Sequence, residues 1–163
     1  MFWSMDGLSW NPRRQGDLGE VSAITWLVRV GATVCVPLLH SPDYDLIAEF
    51  EGELLRVQVK TSVAWHNRRF VVALCTRGGN RSWNGIVKRL DATRCDRLFV
   101  HVGDGRRWFI PAAALGGGVA IAVGGPRYSE YEIEPGEPLE PRCPSIDSAP
   151  PWRDSRAVKG DAL

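Results

Sequence analysis

Residues Asp45 to Lys60, Asp-Leu-Ile-Ala-Glu-Phe-Glu-Gly-Glu-Leu-Leu-Arg-Val-Gln-Val-Lys, constrain this chain more than any other stretch. Two apolar-rich runs of strand length, Leu46 to Phe50 and Leu54 to Val59, flank Glu51-Gly52, and the glycine lets the backbone turn through positive φ. The pattern dictates a β-hairpin. In its second run Leu55, Val57 and Val59 face one way and Arg56, Gln58 and Lys60 the other, because successive strand side chains alternate. A two- or four-residue turn centred on Glu51-Gly52 then sets Asp45 opposite Gln58, on the face that also carries Lys60.

An acid, an amide and a lysine gathered in this way have a chemistry. Hard divalent cations take oxygen ligands, and Asp45, the Gln58 side-chain oxygen and the Val59 carbonyl can all supply them. Lys60 can orient or deprotonate an attacking water and offset the charge of a phosphate. The same residues also suit the wet face of an ordinary surface hairpin, so a group outside the hairpin has to decide between the two. Glu20 is that group. A helix from about Asp17 to Val30 puts Ala23, Ile24, Leu27, Val28 and Val30 around one broad face, with Ser22, Thr25 and Arg29 opposite. Glu20 falls in the middle of the apolar face. A carboxylate there is costly unless it is paired or holds a metal, which predicts that it meets the polar face of the hairpin. The alternative is a first-turn glutamate favoured by the helix dipole and reaching solvent.

Gly16-Asp17-Leu18-Gly19-Glu20, Ser41-Pro42-Asp43-Tyr44-Asp45-Leu46-Ile47 and Val57-Gln58-Val59-Lys60-Thr61-Ser62, in this order and spacing, resemble the PD-(D/E)XK nuclease superfamily. The likeness extends to about residue 134. More narrowly, the chain is similar to the branch that includes group I intron-encoded homing endonucleases, in which Gln replaces the second acid of the motif. The resemblance implies a restriction-endonuclease-like α/β fold, a central mixed β-sheet flanked by helices. It implies a metal-dependent endonuclease of double-stranded DNA, using Mg²⁺ or Mn²⁺ and assembling as a homodimer or homotetramer. The positions matching the active site are Glu20, Asp45, Gln58 and Lys60, with Asp45, Gln58, the Val59 carbonyl and Glu20 around the metal. Gln58 departs from the superfamily pattern, and a neutral amide holds a metal less tightly than a carboxylate. A Holliday-junction resolvase, a restriction or repair nuclease, and a catalytically silent DNA-binding module remain open on the same fold.

Length and composition bound the rest. The 163 residues suffice for one domain with a proper core. No stretch is apolar enough to span a membrane and the first residues lack the basic start and apolar run of a signal peptide, so a cytoplasmic protein is expected. Cys35, Cys75, Cys95 and Cys143 include no close pair, which argues against zinc or disulfides. The formal net charge of +1 conceals a strong asymmetry. Between Arg56 and Arg97 ten Lys or Arg residues stand against two acids, whereas from Glu130 onward acids are in excess. A basic middle suits a phosphate-binding face.

Within that middle, Trp65, Arg68 and Arg69, then Arg77, Asn80, Arg81 and Lys88, mix aromatic, amide and basic groups in the way of a DNA contact. Equally, Gly-, Asn- and Ser-rich turns occur on any surface. Residues 1–14, with Trp3, Trp10 and Pro12, show no period and read as a loose arm, 15–134 as the nuclease-like domain, and the Pro-rich, acidic 135–163 as a disordered tail. His40 sits in the loop before Asp45. Ala32 to Pro37, Phe70 to Cys75, Arg97 to Val102, Arg107 to Pro111, Val119 to Val123 and Tyr128 to Ile133 read as further strands.

Overall fold

The computed structural model describes residues 11–39, 43–77 and 87–139, with the backbone alone at 76, 77, 87 and 88. Helix α1 (Pro12–Arg29) leads into strands β1 (Thr33–Cys35), β2 (Leu46–Phe50), β3 (Glu53–Ser62), β4 (Trp65–His66), β5 (Arg69–Ala73), β6 (Cys75–Arg77), β7 (Val87–Arg89), β8 (Arg97–Val102), β9 (Arg107–Pro111), β10 (Ala120–Val123) and β11 (Glu132–Ile133). Two 3-10 helices, Ala112–Leu115 and Pro126–Tyr131, lie among the last strands. The main sheet has the order β1-β2-β3-β8-β9-β11, and a smaller one the order β10-β5-β4. Only β3 and β8 run parallel, so the central sheet is mixed. This is the expected α/β fold with a central mixed sheet, although among the described residues one face is covered by α1 and the other by the smaller sheet rather than by helices.

The β2–β3 hairpin has the expected register, from Phe50 opposite Glu53 to Leu46 opposite Val57. Glu51 and Gly52 both take positive φ, 50° and 88°, the geometry of the two-residue turn whose twist matches paired strands. Two clusters then form on the two faces of the sheet. Leu46, Ala48, Val57, Val59 and Phe99 pack against Ala23, Trp26 and Leu27 of α1. On the reverse face Leu98, Val100, Val102, Trp108 and Ile110 pack against Phe70, Val72, Ile121 and Val123 of the smaller sheet. That gives three layers: helix, main sheet, small sheet. No helix among the described residues is long and apolar enough to cross a membrane.

Three expectations change. The helix begins at Pro12, inside the stretch read as a loose arm: Asn11 caps it, its side chain accepting the Arg13 N–H at 2.9 Å, and proline is well placed at the first helical position. Residues 1–10, with Trp3 and Trp10, lie outside the described residues. Tyr128 to Ile133 is not one strand. Pro126 starts a 3-10 helix, Ser129 Oγ donates to the Pro126 carbonyl, and only Glu132–Ile133 pairs, with β9. Lastly, the segment directly after Glu134 is packed rather than disordered. Arg107 donates to the Glu134 and Pro135 carbonyls, Gly136 N–H to Gly105 O and His101 Nε2 to Glu137 O, and Leu139 is buried. Buried donors on β8 and β9 need acceptors, and this segment supplies them in place of water. Residues 140–163, with Cys143, lie outside the description.

The helix stops as expected. Gly31 takes φ 95°, its N–H donates to Val28 O and the Ala32 N–H to Leu27 O, which satisfies the last carbonyls of α1.

Candidate active site

The ladder between β2 and β3 ends at Leu46–Val57, yet β3 continues to Ser62 beside β8. Where β2 peels away, the backbone groups of β3 on that side lose their strand partner, and Asp45 takes its place. Its own N–H donates to Val57 O at 2.9 Å. Its Oδ2 accepts the Val59 N–H at 2.6 Å and also the Gln58 side-chain amide. A strand residue's N–H and C=O point to the same side, so the Val59 carbonyl opens toward Asp45 as well. Asp45, Gln58 and the Val59 main chain therefore share one corner, as the register predicted. Lys60 lies on the same face two residues on, and both Gln58 and Lys60 are half-buried.

Glu20 reaches this corner differently from the expectation. It does not sit in the middle of the apolar face of α1, and α1 covers the Val57 and Val59 face of β3 rather than the expected Gln58 and Lys60 face, because the valines are the apolar row that a helix can bury. Gly19, Ala23, Trp26 and Leu27 form that face, while Val28 and Val30 are 55% and 43% exposed and Glu20 itself is exposed at its shoulder. Trp26 took the inward place because its ring packs on Phe99 and Phe109 and its Nε1 donates to Glu134 at 2.6 Å. Gly19 marks the closest approach of helix to strand: a Cβ there would strike the Thr61 methyl and come within 3.3 Å of Val59 Cγ1. The glycine thus brings the next residue, Glu20, to the level of Val59–Thr61. Burial first, then the nearby charge of Asp45 and lastly that of Asp17, raise the Glu20 carboxyl above its ordinary value. The acids beside it thus make Glu20 harder to ionise.

The donor set fits a hard divalent ion. It comprises the Asp45 and Glu20 carboxylates, the Val59 carbonyl and, once its amide is turned, Gln58 Oε1. The turn gives up the bond to Asp45 and sets Oε1 beside the carboxylate, an arrangement that a cation between the two oxygens would favour. Among the described residues no three His, Cys, Asp or Glu side chains gather around one point.

Beyond Lys60 the chain bends sharply into the smaller sheet. Ser62 Oγ donates to Val71 O at 2.6 Å and accepts the Ala64 N–H at 3.1 Å. The β4–β5 hairpin that follows turns at Asn67 and Arg68, both at positive φ, and carries exposed Trp65, Arg68 and Arg69 on the side of the sheet that bears Gln58 and Lys60. Trp65 leans edge-on against Phe70 with ring centres 4.6 Å apart. Arg77 and Lys88 stand on the paired strands β6 and β7. Asn80, Arg81 and His40 lie outside the described residues.

A family model described as PD-(D/E)XK endonuclease matches residues 10–121. The chain belongs to the PD-(D/E)XK endonuclease family. Among solved structures it is similar to a bacterial homing endonuclease, I-Ssp6803I, at 25% identity and a TM-score of 0.65, over 76% of this chain and 89% of that one. No curated protein matches the sequence significantly. A PD-(D/E)XK endonuclease cuts DNA, and members of the family generally use divalent metal ions. Sequence reasoning missed Gly19 and two ion pairs beside the site, Arg56 with Asp96 and Arg94 with Asp43. The glycine stood in a quoted motif, but its role depends on Thr61, and nothing in sequence spacing links the paired residues.

Proposed function

We propose that this PD-(D/E)XK endonuclease hydrolyses double-stranded DNA with Mg²⁺ or Mn²⁺ held by Asp45, the Val59 carbonyl, Gln58 and Glu20. The observation that carries the reading is the corner where β2 leaves β3, with Asp45 bonded to Gln58 and Val59 and its charge felt by Glu20. When bound, the ion polarises the phosphate and lowers the cost of generating hydroxide. Lys60, on the same face, orients the attacking water and offsets charge developing on the phosphate oxygens. Without the ion, Gln58 and the Val59 N–H both hold Asp45; with Gln58 turned to the ion, the Val59 N–H still keeps the carboxylate in place. Trp65, Arg68 and Arg69 form a wall against the duplex, with Arg77, Asn80, Arg81 and Lys88 as further contacts. Such phosphate contacts supply most of the affinity and make it salt-dependent.

The likeness to a homing endonuclease supports a specific duplex target. One site cuts one strand, so a double-strand break calls for two copies aimed at opposite strands, and a symmetric homodimer or homotetramer provides them. The cytoplasm is the compartment that suits such an enzyme. The test is incubation with supercoiled plasmids carrying randomised inserts, and with four-way junctions, in Mg²⁺, Mn²⁺ or EDTA. Duplex cleavage that EDTA stops is the expected result. Cutting of junctions alone would turn the reading into a resolvase, and binding without any cutting into a DNA-binding module.

A further inference from the structure

Two arginines flank the site and are held differently. Arg56, on the same face of β3 as Gln58, spends its fork on Asp96: Nε donates at 2.9 Å and NH2 at 2.8 Å, and its main-chain N–H reaches the same carboxylate at 2.7 Å. Such a bidentate pair leaves little of the guanidinium edge to another anion. Arg94 instead meets Asp43 through one NH2, at 2.8 Å. The Asp43 side chain is only 6% exposed while that of Arg94 is 60% exposed.

The places of the two partners in the chain matter. Asp43 comes two residues before Asp45, on the β2 side of β3. Arg94 ends the turn in which the Arg94 N–H donates to Asp91 O, just before β8, and β8 begins with Arg97 opposite Val57 on the other side of β3. The ion pair therefore joins the segment that leads into β2 to the turn that leads into β8. An exposed ion pair adds little to stability, and burying the acid of such a pair costs desolvation. What the arrangement achieves is a largely exposed arginine anchored through one NH2 by a buried carboxylate that stands two residues before Asp45.

We propose that Arg94 binds a phosphate of the DNA backbone neighbouring the one that is cut, and that Asp43 is the positioning residue that aims it. This rests on the reading of the Asp45–Gln58–Lys60 corner as a phosphodiester-cleaving site. The ligand class is the phosphodiester, whose two unesterified oxygens match the planar N–H edge of a guanidinium.

The experiment measures binding of the full chain to a random-sequence DNA duplex in Ca²⁺ over a range of salt concentrations, with thermal melts of each variant alongside. Arg94→Met is expected to lower the magnitude of the slope of log K against log salt by about one and to weaken binding roughly tenfold at moderate salt. Arg94→Lys keeps the charge and the slope. Asp43→Asn removes a negative charge, which by itself would tighten binding to DNA; weaker binding by this variant is the signature of a lost aiming contact. Arg56→Ala is the control, with a lower Tm and an unchanged slope. A folded Arg94→Met, or if that does not fold a folded Arg94→Gln, with the wild-type slope would overturn the assignment. A wild-type protein without salt-dependent binding would instead sink the nuclease reading itself, and this inference with it.

Discussion

Strands β3 and β8 lie side by side and parallel, and on the face turned toward the smaller sheet they have opposite character. Gln58, Lys60 and Ser62 of β3 stand next to Leu98, Val100 and Val102 of β8. The three β8 residues are fully buried under the smaller sheet; Gln58 and Lys60 are half-buried at the edge of that cover. On the reverse face the two strands agree, since Val57, Val59 and Phe99 all pack with α1. The difference arises where the second layer stops: an apolar row anchors that layer, while in the adjacent polar row Ser62 is tied beneath it to Val71 and Gln58, bonded to Asp45, and Lys60 stay half-open. A rigid packed half thus holds a polar half in register, which is how a site gains preorganisation at little cost in its own stability.

Replacing Asp45 should separate the two halves most sharply. In Asp45→Asn the Gln58 amide and the Val59 N–H lose their charged acceptor, and the ion would be left with one carboxylate, Glu20. Cleavage with Mg²⁺ is expected to fall by roughly a hundred- to a thousandfold or more, while duplex binding in Ca²⁺ stays within a few-fold, because the basic contacts are unchanged. Plasmid nicking rates and gel shifts on the same DNA check both; near-normal cutting would remove Asp45 from the site. On the packed half, Leu98→Ala should cost about 3 kcal/mol of unfolding free energy through the cavity it leaves. Denaturant melts would show it, and the protein that remains folded should keep its specific activity. A large activity loss at unchanged stability would mean that the packed row takes part in the chemistry directly.

The polar half was largely legible in the sequence. Glu51-Gly52 admits a two-residue turn, that turn fixes the register, and the register places Asp45 against Gln58 without any tertiary information. The helix face was less legible, because counting aliphatic residues favoured Val28 and Val30 over Trp26. The choice was made by partners distant in sequence, Phe99, Phe109 and Glu134. For the same reason nothing in the sequence marked Gly19 as the point at which α1 touches Thr61. The run Pro135 to Leu139 carried the composition of a disordered tail, and what orders it is the unmet hydrogen bonding of Arg107 and His101.

That last contact extends the comparison to the far side of β8. His101 is buried, and desolvation is the main reason why its imidazole is lowered from 6.5 to about 4, opposed by the Glu137 carbonyl, with Arg107 lowering it and Asp104 raising it further. A histidine whose folded value is depressed contributes stability that is complete above the unfolded value and is lost as pH falls. The window is therefore from about 6.5 down to about 4, and the loss on the order of 3 kcal/mol. His101→Gln keeps an N–H donor for Glu137 and does not titrate. Unfolding free energies measured between pH 7 and 4 should fall less steeply for this variant than for the wild type, and parallel curves would show that His101 is not the titrating group.

The smallest effect expected belongs to Glu20, and it has the opposite sign. Burial and the charge of Asp45 raise its carboxyl, so in the ion-free protein the ionised form is held at a cost. Stability from such a group is present below its unfolded value and lost as pH rises through the folded one; at neutral pH the carboxylate is a net strain. Glu20→Gln removes that repulsion and should raise the Tm in EDTA by roughly a degree or two, since the residue is exposed and the effect is screened. In the wild type, Mg²⁺ should more than offset the repulsion, because an ion that binds only the folded state stabilises it in proportion to its occupancy. The variant should therefore be the more stable protein in EDTA and the less responsive one in Mg²⁺, with its cleavage impaired. Melts of both proteins with and without the ion decide the matter. A variant that gains as much from Mg²⁺ as the wild type would place Glu20 outside the ion's reach and leave Asp45, Gln58 and Val59 to hold it.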